Sequence, residues 1–449
     1  MDVTLTAARP DAALWRLGGV LIMGAVLSIL DATIVTVGID SIARDLGSPV
    51  TTVQWVASAY LLAASAAIPL SGWLTDRFGG RAVWLTAVAI FTAGTLLCGF
   101  AWSAPALIAF RVLHGLGGGL MQPVGQAVFA QAAGPALGRM IGVVTLPATV
   151  APVLGPLLGG ALVADFGWRW MFFGVVPLGV ATFVVARSVL PASSPSEARS
   201  PLDVRGILLL SPGLAAFVYG LASNVVVAWV TGAVLLLAYG VHAARAPAPV
   251  LDLTLFRDKG FRVASVSTFL LGASLYSSML LLPLYYEQVA HASPWEAGLL
   301  LAPQAIGSAA VLLAGGRLLA RFGPRRMMLA GIGLSLLGTV AFTQLGSAPS
   351  GVVLTLSLLI RGAGLGAATA PGMTTLYGSL ERSRIPRAAS AFNVINRVGG
   401  SLGTALLAAI LHSAASPLST AFATTFTWSL ALSALTLVPA AFFPSRSPR

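Results

Sequence analysis

The chain has 449 residues, of which 57% are hydrophobic and only 9% are charged, and its formal net charge is +12. About a quarter of the residues in a soluble domain are charged, so this composition excludes a water-soluble globule and predicts that lipid surrounds most of the protein. The single cysteine, Cys98, lies in an apolar run, which excludes a disulfide framework, haem attachment and cysteine-rich metal sites.

Apolar stretches near the length of about 20 residues that crosses a bilayer occur throughout the chain. We predict fourteen spans, at 14–38, 51–74, 82–101, 104–131, 139–163, 168–190, 205–222, 224–243, 261–288, 296–319, 326–345, 351–378, 388–412 and 420–441. No small-residue cleavage site follows the first span, so we interpret it as retained and not as a signal peptide. The sequence therefore predicts an all-α membrane protein with two bundles of six helices, at 1–190 and 261–449, and two additional spans with a polar connector at 191–260.

The positions of the basic residues predict the orientation of the spans. Cationic side chains near span ends are retained on the cytoplasmic side during insertion. With the N-terminus inside, nearly all Lys and Arg residues fall in cytoplasmic loops; the exceptions are Arg44 and Arg169 outside, and Arg111, Arg361 and Arg397 within spans. Both termini are thus expected in the cytoplasm, and the positive charge reflects topology instead of a nucleic-acid-binding surface.

The chain contains an internal repeat. The segment G-W-L-T-D-R-F-G-G-R at 72–81 matches G-R-L-L-A-R-F-G-P-R at 316–325 at six positions. The same spacing relates the glycine-rich segments at 155–159 and 399–403. We predict a duplicated six-span unit, in which Ala320 of the second copy replaces Asp76 of the first.

Two charged residues deep in spans are the first candidates for function. Asp31 is the one acid well inside a span, and Arg111 is the one such base in the N-terminal half, so each is the expected partner of the other. An intramembrane charge is expensive and indicates a proton relay or a transport site, although a neutralised pair that only joins two helices is the alternative. His114, one turn beyond Arg111, is positioned to share the proton, unless it is simply a packed histidine.

Two glycine- or proline-rich segments suggest moving parts. In the turn at 72–81, salt bridges of Asp76, Arg77 and Arg81 could latch two helices, whereas a plain loop with topology-setting arginines is the alternative. In the fifth span, small residues and prolines recur every fourth position and predict a bent, closely packed helix; packing without a special role is the alternative. The residues in question are Pro147, Ala151, Pro152, Gly155, Pro156 and Gly159.

Signals for enzymatic chemistry are missing from the sequence. There is no phosphate loop with Gly-Lys-Ser/Thr, and the four histidines lack the spacing of metal ligands. We therefore expect no enzyme activity, cofactor, metal, nucleotide or nucleic acid. Uncharged polar and aromatic residues within spans are candidates for a substrate cavity, with helix packing as the alternative: Gln54, Trp55, Tyr60, Gln122, Gln126, Tyr276, Met279, Gln304, Asn393 and Asn396.

Five motifs together resemble the major facilitator superfamily: L-D-A-T-I-V-T-V at 30–37, Q-W-V-A-S-A-Y at 54–60, the segment at 72–81, R-V-L-H-G-L-G at 111–117 and G-P-L-L-G-G at 155–160. The chain is similar to the fourteen-span drug and proton antiporters of the QacA and EmrB type. This resemblance implies two bundles around a central cavity that opens to either side in turn.

The resemblance also assigns roles to residues. It implies proton coupling by Asp31, with Arg111 as its counter-charge and His114 beside it. It implies a cytoplasmic gate formed by Gly72, Asp76, Arg77, Gly79 and Arg81. It implies an antiporter motif at Ala151, Pro152, Gly155, Pro156, Gly159 and Gly160, in which Ala151 replaces the usual first glycine.

We therefore predict a proton-coupled multidrug efflux antiporter in a bacterial cytoplasmic membrane, working as a monomer among membrane lipids. Its expected cargo is lipophilic and neutral or monocationic, because no further acid that would suit a dication lies deep within spans 10 to 14. The alternatives are a lipid or glycolipid translocator of the same fold and a membrane sensor that transports nothing.

Overall fold

The computed structural model describes residues 12–137, 140, 151, 155, 158, 159, 161–163, 165–192, 201–347, 350–378, 380–413 and 417–444. Within these residues the secondary structure is helical and contains no strand. Twelve helical segments of the described part are long and apolar enough to cross a membrane. Most of the predicted fifth span, at 139–163, lies outside the described residues.

The described residues form the following helices. In chain order they are α1 (Ala12–Val37), α2 (Ile39–Asp45), α3 (Val50–Ala67), α4 (Leu70–Phe78), α5 (Gly80–Gly99), α6 (Ala104–Ala133), α7 (Trp170–Phe173), α8 (Val176–Val189), α9 (Val204–Ala222), α10 (Val226–Ala243), α11 (Lys259–Gln288), α12 (Pro294–Val340), α13 (Gly351–Gly378), α14 (Ile385–Ser413), α15 (Leu418–Leu435) and α16 (Leu437–Ala440). Several helices begin at a side chain that accepts a hydrogen bond from the first turn, as Ser103 does for α6, Asp203 for α9 and Asp258 for α11.

A backbone break shows the internal repeat. Gly79, between α4 and α5, has a φ of 81°, and Gly323 inside α12 has a φ of 76°. The spacing between these two glycines is the one that relates the two sequence copies. Because a side chain at positive φ is strained, glycine is required at both points. The break at Gly323 falls between the predicted spans at 296–319 and 326–345.

Close helix packing repeats in the same way. A Cβ atom at Gly115 of α6 would overlap the Tyr60 carbonyl of α3, and one at Gly117 would overlap Phe91 of α5. In the second half, Gly362 of α13 meets Gln304 and Gly364 meets Ser335, both of α12. Small residues at these positions let the backbones approach closely, which brings polar side chains of three helices together.

The two halves meet at one end of the molecule. Among the described residues, the hydrogen bonds between the halves all link 68–76 or 126–131 with 382–393. The hairpin of α9 and α10 lies beside this junction, because Leu214 of α9 is buried with Ile68 at the end of α3 and Val394 of α14. The hairpin thus contacts both halves.

Candidate functional site

An ion pair between Asp31 and Arg111 lies inside the N-terminal half. Arg111 Nη1 donates to Asp31 Oδ2 at 2.6 Å, and the two side chains are 1% and 0% exposed. The pair joins α1 to α6, and Arg111 Nε also donates to the Val56 carbonyl of α3 at 2.9 Å. Three helices therefore converge on one guanidinium, which holds the carboxylate in a fixed position. No donor from the described residues reaches the second oxygen of Asp31, Oδ1.

His114 continues this network towards α5. Its Nδ1 lies 3.0 Å from Arg111 Nη1, and its Nε2 lies 2.9 Å from Thr95 Oγ1. The Thr95 hydroxyl already donates to the Phe91 carbonyl, so it accepts from His114 Nε2–H. His114 Nδ1 is then the acceptor for Arg111, and the imidazole is neutral in this arrangement.

Aromatic rings and glycines hold the network in place. The Tyr60 ring lies 4.3 Å from the Arg111 guanidinium carbon, a cation–π contact, and its hydroxyl donates to the Ser28 carbonyl of α1. A Cβ at Gly94 would lie 2.7 Å from His114 Cα, and one at Gly118 would overlap the Tyr60 hydroxyl. The glycines of α5 and α6 therefore leave the space that the charged and aromatic side chains occupy.

The described residues of the predicted antiporter motif pack on α1 beside Asp31. A Cβ at Gly155 would overlap the side chain of Thr33, and one at Gly159 would lie 2.7 Å from Ile34 Cγ1. Ala151 is buried. The other predicted members, Pro152, Pro156 and Gly160, lie outside the described residues.

The predicted gate segment contacts the second half through Asp76. Arg387 Nε, at the start of α14, donates to Asp76 Oδ2 at 2.8 Å. Gly72 permits this contact, because a Cβ there would lie only 3.1 Å from Arg387 Cα. Burial raises the pKa of Asp76, and the hydrogen bond from Arg387 opposes that shift. Sequence reasoning missed Arg387, although a basic residue at the start of a span in the second half was a signal for it.

The remaining gate residues have other neighbours. Arg81 donates to the Arg187 carbonyl at 2.6 Å, within the N-terminal half, and Arg77 is exposed. A second ion pair, between Arg384 and Asp252 at 2.9 Å, ties the connector after α10 to the segment before α14. Burial raises the pKa of Asp252, but hydrogen bonds from Thr254 and Arg384 outweigh it, so the net effect is a lower pKa.

The ten predicted cavity residues have different neighbours in the structure. Gln126 and Asn393 bind each other across the halves at 2.8 Å, and the Trp55 ring stacks on Tyr219 of α9 with centroids 5.0 Å apart. Gln304 accepts from Arg361 at 2.7 Å. Tyr60 covers Arg111, as described above. The others differ in exposure: Gln54 and Met279 are exposed, whereas Gln122, Tyr276 and Asn396 are half-buried.

In the second half, an arginine occupies the position of His114. Gly338 packs against the Arg361 backbone as Gly94 packs against that of His114. Arg361 Nε lies 3.2 Å from Thr339 Oγ1, and Thr339 corresponds to Thr95 in the repeat. The partners of Arg361 among the described residues are the neutral side chains of Thr339, Gln304 and Ser278. The carboxylate–guanidinium pair of the first half therefore has no described copy in the second.

No group of three or more His, Cys, Asp or Glu residues in the described part of the chain is close enough to hold a metal ion.

Comparisons with known proteins agree with one another on the fold. The family model described as Major Facilitator Superfamily matches residues 21–404 and 264–449. The Multidrug resistance protein B homolog of Mycobacterium tuberculosis is 37% identical over 417 residues, which cover 90% of this chain and 77% of that protein. The Multidrug export protein EmrB of Haemophilus influenzae is 29% identical over 402 residues, covering 85% of this chain and 77% of that protein.

Two solved structures share the architecture at low sequence identity. The human organic anion transporter MFSD10 has a TM-score of 0.68 and 19% identity, covering 96% of this chain and all of that one. The proton:xylose symporter XylE has a TM-score of 0.66 and 15% identity, covering 96% of this chain and 95% of that one. At these identities the likeness establishes the helical fold with its two related halves.

Proposed function

The chain belongs to the major facilitator superfamily, and from this membership we propose that it is a proton-coupled multidrug efflux antiporter of the bacterial cytoplasmic membrane. The names of the bacterial relatives support drug efflux. The single observation that carries proton coupling is the Asp31–Arg111 pair. An acid buried in a membrane span is energetically costly, and such residues usually serve a function. The chain acts as a transporter and not as an enzyme.

In the proposed cycle, a proton from outside the cell binds Asp31 and weakens its attraction to Arg111. The guanidinium keeps its bonds to Val56 and His114, so α6 and α3 stay together while the link to α1 loosens. Loss of that proton to the cytoplasm restores the ion pair. His114 positions Arg111 as a neutral acceptor and is the second group able to share the proton.

The ends of the two halves provide the proposed gate. The structure is closed where Asp76 meets Arg387 and Gln126 meets Asn393. The proposed orientation, with both termini in the cytoplasm, places this closed end on the cytoplasmic side. Opening towards the cytoplasm then requires the break of the Asp76–Arg387 ion pair, while Gly79 and Gly72 permit the tight turn and the close approach.

We retain fourteen spans in the order six, two and six as part of the proposal. One 51-residue helical segment at Trp295–Leu345 contains two predicted spans on either side of Gly323, and the fifth predicted span lies mostly outside the described residues. The divisions at 1–190, 191–260 and 261–449 follow from this count. We also keep the expectation of a monomer.

The proposed cargo is lipophilic. The sequence predicts neutral or monocationic compounds, and the described contacts support the exclusion of dications, since Asp31 is already neutralised by Arg111. When the cargo is neutral the exchange is electrogenic, and inward movement of one proton through a membrane potential then supplies about 2.3 kcal/mol per 100 mV, which is enough to drive export against a gradient.

Proton release from purified protein tests this proposal. Ethidium, a lipophilic monocation, and chloramphenicol, a neutral compound, are added to unbuffered protein in detergent while the pH is recorded. The wild type is expected to release protons with at least one of the two compounds, and Asp31→Asn is expected to release none. Asp45→Asn is the matched control, because Asp45 pairs with Arg169 outside the membrane spans. Equal release from Asp31→Asn would rule out the coupling role, and no release from the wild type with either compound would favour a sensor that transports nothing.

A further inference from the structure

Arg397 carries a charge inside a membrane span without a described partner. It lies near the middle of α14 and is partly accessible. Its guanidinium makes no hydrogen bond or ion pair with any residue in the described part of the chain; only its backbone carbonyl is used, by Ser401. A charge at this depth is energetically costly, so it indicates a functional site.

The neighbours of Arg397 on α14 show which way it faces. On one side of it, Val394 and Val398 pack against Leu214 of the additional hairpin. On the other side, Asn396 and Gly400 pack against α11, where a Cβ at Gly400 would lie 2.6 Å from the Tyr276 ring. Arg397 lies on the face of α14 between these two sides. This face points to the N-terminal half, because Asn393, one turn earlier, binds Gln126 there.

The depth of Arg397 in the bundle follows from the contact of Ser390, which lies about two helical turns before it. Ser390 Oγ donates to the Ile68 carbonyl at the end of α3 at 3.0 Å. The two helices run in opposite directions, so seven residues further along α14 the chain has moved about 10 Å back along α3, to the level of Tyr60. Tyr60 is the residue that covers Arg111. Arg397 therefore lies between the halves, near the proton-coupling pair.

The charge of the described interior is positive. Asp31 and Arg111 neutralise each other, whereas Arg361 and Arg397 have no acidic partner among the described residues. A positive field in a low-dielectric interior attracts anions and repels cations. A guanidinium offers five N–H donors in a planar fork that fits a carboxylate in bidentate fashion.

We propose that Arg397 is the anchor of a substrate subsite for the carboxylate of a lipophilic aromatic monoanion. The aromatic part of the ligand lies against Tyr276, which Gly400 places one turn from Arg397. The inference rests on the proposed export function and revises the charge of its cargo, since a monocation would meet Arg397 with repulsion. Export of an anion is also favoured by a membrane potential that is negative inside.

Equilibrium binding to protein in nanodiscs tests the subsite. The probes are radiolabelled 1-naphthaleneacetate and its primary amide, which differ in charge and hardly in size; empty nanodiscs give the baseline. We expect the wild type to bind the carboxylate about tenfold more tightly than the amide, the effect of a charge-assisted hydrogen bond. Arg397→Gln is expected to remove that preference, and Arg397→Lys to retain part of it. Arg187→Gln, which removes an exposed charge at the end of α8, is expected to keep it.

Three outcomes overturn the inference. They are a wild type that does not prefer the carboxylate, a wild type that binds neither probe, and an Arg397→Gln variant with the full preference. Thermal unfolding of each variant shows whether it is folded. If Arg397→Gln is not folded, the carboxylate preference of Arg397→Lys tests the inference in its place. Binding at fixed pH does not depend on proton coupling, so Asp31→Asn is expected to keep the carboxylate preference. The subsite can therefore be confirmed or rejected independently of the antiport proposal.

Discussion

Asp31 and Arg111 lie 80 residues apart in the chain and 2.6 Å apart in space, and neither side chain is more than 1% exposed. The attraction between them replaces the water that each charge has lost. Such a pair is tolerated only while both members are present, since one member alone is a buried charge without compensation.

Removal of one partner is therefore expected to cost more than removal of both charges. Arg111→Gln leaves the Asp31 carboxylate without its counter-charge and is expected to lower stability by about 3 to 5 kcal/mol. The double variant Asp31→Asn with Arg111→Gln is expected to be more stable than Arg111→Gln alone. Unfolding temperatures in detergent measure both effects. Additive losses in the two single variants and the double variant would show that the two charges do not stabilise each other.

His114 is expected to be dispensable for proton release. His114→Asn keeps an acceptor oxygen near the position of Nδ1, so Arg111 retains its partner, but it cannot carry a proton. Compound-induced proton release is expected to persist, with a lower unfolding temperature because the bond to Thr95 is lost. Complete loss of release in a folded His114→Asn protein would show that the imidazole is an obligatory carrier.

The closed end is expected to respond to pH through Asp76. Burial raises the pKa of Asp76, against the effect of Arg387, so the closed arrangement holds the proton more tightly than one in which this carboxyl faces water. A fall in pH through the raised pKa is therefore expected to favour the closed arrangement, and a rise in pH to disfavour it.

Spin labels at Phe78→Cys and Ser383→Cys, both exposed positions, measure the distance between the two halves at the closed end. The one native cysteine, Cys98, is buried. The fraction with a short distance is expected to increase as the pH falls. Asp76→Asn is expected to remove this dependence. The same pH dependence in Asp76→Asn would assign it to another group.

Small residues beside Asp31 are expected to be essential for movement. Gly155→Ala introduces a methyl group that overlaps Thr33, two residues after Asp31, and is expected to reduce proton-coupled export strongly. Gly19→Ala in α1 is the matched control, because no atom lies within 4 Å of a Cβ there. Thr33→Ala added to Gly155→Ala is expected to restore part of the export. Full activity of Gly155→Ala would show that this contact is not tight during transport.

Sequence reasoning identified the Asp31–Arg111 pair because the membrane spans contain few other charged residues that could serve as partners. In an apolar helix each charge requires compensation, and only one acid and one base lie deep within the spans of the N-terminal half. The same reasoning could not find Arg387 as the partner of Asp76, since several arginines at span ends were equally available. Nor could it find the partners of Gln304, which binds Arg361, or of Trp55, which stacks on Tyr219.

The sequence by itself determined the helical membrane architecture, the repeat and the buried pairing of Asp31 with Arg111, because hydrocarbon penalises unpaired charges and requires helices wherever the chain crosses it. Only the tertiary structure decided which polar groups meet: His114 as the neutral link between Arg111 and Thr95, Arg361 in its place in the second half, and Arg397 facing the other half without a described partner. Such choices depend on the rotation and depth of each helix. These are set by packing at residues such as Gly94 and Gly338, and they leave no distinct pattern in a chain of apolar residues.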